Sequence, residues 1–194
     1  MAFPHKLIII TAPSGSGKTS ITKHLMQHFP QLAFSVSAAT RAARGKEVDG
    51  VDYHFISEED FKQKIREEAF IEWEMVYEGK YYGTLKTELE RIWLQNKIPV
   101  LDIDVKGAIH VQQQLGDQCL SVFIMPPSIE TLKERLLNRQ TETAQSIQTR
   151  IDKAAYEISF SNQFNAIVKN EVLETACTET ANLLIQFLGP EFTK

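Results

Sequence analysis

The chain of 194 residues has only two cysteines, no excess of basic charge and no long apolar run. Each shortage excludes something. Cys119 and Cys177 lie far apart and belong to no metal-ligand spacing, so neither a disulfide scaffold nor a cysteine metal site is expected. Cys119 sits in the run CLSVFIM and reads as a small buried hydrophobe. A net charge of −4 gives no global basic field for nucleic acid or an anionic membrane, so any phosphate site must be built locally. No stretch approaches the ~20 apolar residues that span a bilayer. The opening MAFPHKLIIITAP has too short an apolar run for a signal peptide followed by a cleavage site. These features predict a cytoplasmic protein with neither nucleic acid nor membrane as partner. No repeat or low-complexity segment is present. The remainder is ordinary globular material, 43% hydrophobic and 24% charged, sized for one compact domain.

Four apolar runs, residues 6–11, 99–103, 119–125 and 166–168, are rich in β-branched residues and lack polar alternation. They predict strands of a parallel sheet covered on both faces. Helical patterns over residues 19–28, 84–95, 129–138, 147–161 and 174–188 fall between or after them, as in an α/β sandwich with right-handed crossovers. Two regions break the alternation. Residues 34–83 are long and mixed, with a strand-like piece at 53–56, and residues 138–146 are polar and predict an exposed loop between two helices. Long polar connections in a compact domain are often lids or binding inserts.

The strongest local signal is Ala12-Pro13-Ser14-Gly15-Ser16-Gly17-Lys18-Thr19, directly after the first strand and before a helical pattern. This is the strand–loop–helix setting of a P-loop. Gly15 and Gly17 let backbone amides turn inward around phosphate oxygens, and the following helix presents its positive end. Lys18 is spaced to reach β- and γ-phosphates, and the Thr19 hydroxyl is placed for Mg²⁺. The first position is Ala12 instead of the usual glycine, which requires a negative φ there.

Farther along, Ser37-Ala38-Ala39-Thr40-Arg41-Ala42-Ala43-Arg44-Gly45-Lys46-Glu47, Gly50-Val51-Asp52-Tyr53, Phe70-Ile71-Glu72-Trp73, Tyr81-Tyr82-Gly83-Thr84 and Leu101-Asp102-Ile103-Asp104 follow in order. Together with the P-loop they resemble guanylate kinases over about residues 6–188. The resemblance implies a P-loop NTPase three-layer sandwich with a central parallel sheet, plus a mixed α/β GMP-binding insert and a short lid. It also implies one domain, with core 1–33, 85–127 and 151–194, insert 34–84 and lid 128–150. The implied reaction is ATP + GMP to ADP + GDP with Mg²⁺.

The resemblance further implies that Arg41, Arg44, Tyr53 and Tyr82 hold the GMP phosphate. Two arginines three apart supply forked donors suited to one phosphate. Base selection falls to Glu72 with Ser37, Thr84 and one of Asp102 and Asp104. Guanine offers N1–H and an N2 amine side by side, and one carboxylate accepts both, whereas adenine presents a lone pair at N1. The two aspartates end an apolar strand, where α/β sheets place ligands, with one near the base and the other near the metal.

Arg135, Arg139 and Arg150 match the arginines that related kinases bring down on the ATP phosphates. Arg135 and Arg139, four apart, share a helix face. Phosphoryl transfer needs alignment and cations more than covalent help. Lys106, Gln140 and the segment 77–80 depart from the family pattern. Two alternatives accompany this reading: a P-loop kinase of another phosphorylated acceptor, and a silent guanylate-kinase-like interaction module. The intact Gly17-Lys18-Thr19 argues against the second. Monomer and dimer both remain compatible with the sequence.

Overall fold

A computed structural model of the chain describes residues 5–137, 144–189 and 192. In chain order the elements are β1 (Leu7–Thr11), α1 (Lys18–His28), β2 (Leu32–Phe34), β3 (Ala38–Ala39), β4 (His54–Phe55), α2 (Glu58–Arg66), β5 (Phe70–Tyr77), β6 (Lys80–Leu85), α3 (Lys86–Leu94), β7 (Ile98–Leu101), α4 (Val105–Leu115), β8 (Cys119–Met125), α5 (Ile129–Leu137), α6 (Ala144–Ile158), β9 (Ala166–Lys169) and α7 (Leu173–Leu188).

A five-stranded parallel sheet in the order β2-β7-β1-β8-β9 forms the centre. Strand β1 lies in its middle and all five of its residues are buried. Its alternating side chains serve two cores. Ile8 and Ile10 pack with residues of α1 and α7 on one face, including Ile21, Leu25, Leu184 and Leu188. Leu7 and Ile9 pack with residues of α3 and α4 on the other, including Leu89, Ala108 and Val111. A strand covered on both faces has no solvent side to spend on polar residues, which is why LIIIT reads as a continuous apolar run.

A second, four-stranded sheet in the order β4-β3-β6-β5 lies within residues 38–85. Its own small core stacks Phe61 of α2 on Phe70 with Ala38 beside them. The β5–β6 hairpin turns through Glu78 and Gly79 at the segment 77–80, with Tyr77 paired to Lys80 and Gly79 at φ 67°. Thr40 ties this turn to β3, its hydroxyl donating to the Gly79 carbonyl at 2.9 Å.

The pattern reading is corrected in four places. The helix expected from residue 84 begins at Lys86, because Thr84 and Leu85 still pair with Glu72 and Phe70 in the hairpin. Helices α2 and α4 were not visible as patterns. Each is set by its cap: Ser57 accepts from the Asp60 amide at 3.0 Å, and Asp104 accepts from the Gly107 amide at 2.9 Å. Residues 144–146, expected in a loop, already belong to α6, while 138–143 lie outside the described residues. The short strand β2 also escaped notice, its three residues being too few for a period to register.

Candidate active site

The loop after β1 is held by packing on two sides. Gly15 and Gly17 have φ of 91° and 92°, in the left-handed region that disfavours other residues. A Cβ at Gly15 would press on Leu132 and Leu136 of α5 at 3.1 and 3.3 Å, and one at Gly17 would collide with the Asn170 amide. Outside glycine, positive φ among the described residues occurs only at His5, Glu68 and Asn96. Ala12 therefore sits where an alanine is at ease, with its side chain against the core. Asn170, just past β9 and 3% exposed, donates from Nδ2 to the Ser16 carbonyl at 2.7 Å, while its own amide donates to Met125 at 2.8 Å.

A cleft of about 460 Å³ opens over this loop, lined by Ala12, Pro13, Ser14, Gly15, Gly17, Lys18 and Thr19. The first turn of α1 faces it, and helix starts favour anions because their amides lack partners within the helix. Ser16 is fully buried beneath the loop, where its carbonyl serves Asn170. The far wall is Asp102, Ile103 and Asp104, with Arg150, Lys153 and Glu157 from α6. Lys18 is ion-paired with Asp102, and Arg150 donates to the Ser14 hydroxyl at 2.7 Å. Glu157 is buried here, and that burial pushes its carboxyl up.

A second cleft of about 280 Å³ brings together Ser37, Arg41, Arg44, Tyr53, Glu72, Tyr82, Asp102 and Asp104, joined by Glu74, Val76 and Ile103. Arg41 is 8% exposed. Its fork meets Glu47 at 2.5 and 2.8 Å, its Nε donates to the Tyr82 hydroxyl at 3.1 Å, and its guanidinium lies 4.8 Å from the Tyr53 ring. Arg41 thus does not stand as an open fork: Glu47 aligns it, and the pairing lowers the Glu47 carboxyl to about 2.

At the other end Glu72 is 7% exposed, and Thr84 donates to its Oε1 at 2.6 Å. Burial pushes its carboxyl up to about 7, with the Asp104 charge adding to the rise against the Thr84 bond. Two glycines make room for it. A Cβ at Gly107 would come within 2.7 Å of Glu72 Oε2, and one at Gly83 within 2.8 Å of the Glu72 carbonyl.

The clefts share Asp102, Ile103 and Asp104. This wall is positioned by the Thr11 hydroxyl, which donates to the Ile103 carbonyl at 2.9 Å and ties the end of β7 to the end of β1. The two aspartates face different ways. Asp102 pairs with Lys18 of the loop, whereas Asp104 caps α4 and interacts with Glu74 and, through its charge, Glu72. Thr19 and Asp102 are hard oxygen donors beside the loop, of the kind a divalent cation takes together with phosphate oxygens. Among the described residues no group of three His, Cys, Asp or Glu is arranged to hold a metal unaided.

The matching family model is that of guanylate kinase, over residues 4–186. The chain belongs to the guanylate kinase family. It is 42% identical to a guanylate kinase of Bacteroides fragilis (strain YCH46), covering 95% of this chain and 90% of the relative. It is 43% identical to that of Porphyromonas gingivalis, covering 95% and 98%. Among solved structures it is similar to the guanylate kinase of Anaplasma phagocytophilum, with 28% identity and a TM-score of 0.75 over 94% of this chain and 86% of that one. The parallel five-stranded core is that of a P-loop NTPase.

Within this guanylate kinase fold, one arginine named from sequence lines neither cleft. Arg135 donates to the Asn170 carbonyl at 3.2 Å, behind the loop, and Arg139 lies outside the described residues. Several residues that shape the site carry no motif. Glu47 and Asn170 act on Arg41 and on the loop as described. Glu88 accepts the Val36 amide at 3.1 Å and so holds the segment that carries Ser37. Glu74 could have been found from its spacing two residues after Glu72, which places both on one face of a strand.

Proposed function

We propose that the chain transfers the γ-phosphoryl group of ATP to GMP, giving ADP and GDP. The observation that carries this reading is the shared wall at Asp102–Asp104, which sets a phosphate-loop cleft against a cleft ending in a buried carboxylate. ATP phosphates lie on the amides of residues 12–19. Lys18 neutralises the transferring group and keeps it aligned. Thr19 and Asp102 would hold Mg²⁺, which when bound screens the charge on the phosphate oxygens. Arg41, Arg44, Tyr53 and Tyr82 hold the acceptor phosphate, with Glu47 orienting Arg41.

Glu72, steadied by Thr84, accepts guanine N1–H and N2–H, with Ser37 and Asp104 completing the base end. No general base is required, because the attacking group is already a phosphate oxyanion. Residues 34–84 act as the acceptor insert and 128–150 as the lid. Closure of the lid brings Arg135, Arg139 and Arg150 to the phosphates and excludes water, which limits ATP hydrolysis. Free nucleotide substrates and two free, buried cysteines fit a reducing cytoplasm. Among the described residues no helix is long and apolar enough to cross a membrane.

The test is ADP formation from Mg·ATP with GMP, AMP, UMP, CMP and dTMP in parallel, with Lys18→Ala as control. Turnover on GMP, lost in the control, is expected. Preference for another acceptor would overturn the assignment of Glu72, and failure to bind ATP at all would point to a silent interaction module.

A further inference from the structure

Helix α1 carries two histidines that phosphoryl transfer leaves unused. The helix begins with Lys18 and Thr19 of the phosphate loop and buries Ile21 and Leu25 in the core. His24 and His28 stand four residues apart, so they share one helix face, one above the other. At 1.5 Å per residue they lie about 9 and about 15 Å along the axis from Lys18. Neither lines the nucleotide or the acceptor cleft.

The two rings are stacked, with centroids 4.0 Å apart and planes at 23°. Nδ1 of His28 lies 2.8 Å from the His24 carbonyl oxygen. A carbonyl only accepts, so that nitrogen carries the proton, and in the neutral ring Nε2 keeps a bare lone pair. Donation from one ring nitrogen to a backbone carbonyl is what fixes the tautomer and orientation of a metal-ligating histidine. Capping of the helix end would account for that bond, since a basic residue suits the last turn. It would not account for His24, whose ring nitrogens take no hydrogen bond among the described residues. His28 is exposed and His24 half-buried, so the pair opens to solvent.

We propose that His24 and His28 form a surface site for a late first-row divalent cation such as Zn²⁺ or Ni²⁺, held by two imidazole nitrogens and completed by water. Four-residue spacing on one helix face is that of the paired histidines in a common zinc motif. Metal–nitrogen bonds of about 2.0–2.1 Å in tetrahedral geometry set two ligating nitrogens roughly 3.3 Å apart, a small splay for rings stacked at 4.0 Å. Imidazole suits these ions, whereas Mg²⁺ takes oxygen ligands, so the site does not compete for the metal of the reaction. Both cysteines, the other ligands soft enough to draw the ion away, are buried. A bound ion cross-links the last turn of α1 and stabilises the fold by mass action.

The experiment is calorimetric titration and thermal melting of the untagged, nucleotide-free chain with ZnCl₂ or NiCl₂, and with MgCl₂ as control, for the parent, His24→Ala and His28→Ala. Alanine is the best helix former and both positions lie outside the core, so the variants keep the fold. The parent is expected to bind Zn²⁺ and Ni²⁺ and to melt higher with them, to lose the gain on adding EDTA, and to show no such response to Mg²⁺. Each variant should bind about tenfold more weakly or worse, because one imidazole alone lacks a second ligand held at high effective concentration. Phosphoryl transfer from Mg·ATP to GMP should be the same in all three. No binding by the parent at millimolar metal would sink the proposal. Undiminished affinity in His24→Ala would do the same, since the ion would then sit elsewhere. Either failure leaves the guanylate kinase reading untouched.

Discussion

Replacing Glu72 by Gln separates base recognition from folding, because it keeps the shape and removes the charge. Glutamine retains one oxygen, which can accept guanine N1–H or the Thr84 hydroxyl now donating at 2.6 Å. Its amide nitrogen then faces the guanine N2 amine, donor against donor. One charge-assisted hydrogen bond is lost, about 1.5–3 kcal/mol, and a mispaired donor adds about 1–3 kcal/mol. The sum corresponds to roughly 10²- to 10⁴-fold in kcat/KM for GMP. AMP gains less than about tenfold, since its 6-amine meets a site otherwise arranged for O6.

The same substitution should stabilise the fold above neutral pH. Burial raises the Glu72 carboxyl from its ordinary 4.5 to about 7, so ionising it in the folded protein costs on the order of 3 kcal/mol. Below about pH 4.5 both folded and unfolded chains carry the proton and no penalty exists. Between 4.5 and 7 the unfolded chain loses the proton first, so stability falls as pH rises, and above 7 the penalty is complete. Glu72→Gln should therefore melt near the parent at pH 5 and higher than it at pH 8. The assays are steady-state ADP release with GMP and AMP, and thermal melts at both pH values. A variant that keeps its GMP kcat/KM within threefold would refute the recognition argument. An equal melting shift at the two pH values would refute the buried-charge argument.

Two further outcomes follow from the same geometry. Asn170→Ala removes the 2.7 Å bond that holds the Ser16 carbonyl beneath Gly17, and should raise KM for ATP about 10- to 100-fold through a loss of about 1–3 kcal/mol, with KM for GMP unchanged; parallel rises in both would show a general loss of structure instead. Because Glu72 must be ionised to accept two guanine donors, KM for GMP should climb about tenfold per unit as pH falls below about 7. Glu72→Gln, measured over the same range, should lose that climb and leave only the titration of the GMP phosphate itself near pH 6; an unchanged slope in the variant would assign the effect to the ligand.

Local rules made much of this protein legible. LIIIT, PVL and CLSVFIM read as buried parallel strands because a strand covered on both faces excludes polar residues along its whole length. The phosphate loop reads because glycines at φ near 90° and a helix start must occur at fixed offsets for backbone amides to converge. The same locality explains what was misread. Helix α4 holds a glycine and three consecutive glutamines that dilute its apolar period, and it forms because Asp104 caps it and Val105, Ala108 and Val111 find a core face. Thr84 continues a strand only because Glu72 stands across from it.

The amino-acid sequence by itself determined the phosphate loop, the central strands and the residue types gathered for the acceptor. Tertiary structure alone decided how they divide the work. Asp102 and Asp104 are indistinguishable as letters, yet Thr11 anchors their strand end so that one meets Lys18 and the other meets Glu74 and caps α4. Arg41 reads as a free phosphate fork until Glu47 is seen to grip it. Glu74 carries no motif, and its partner Asp104 comes to it from a distant loop. The physical reason is the same throughout. Turn, cap and period act within a few residues and are written there, whereas a charge takes its meaning from burial and from partners brought to it by the rest of the chain.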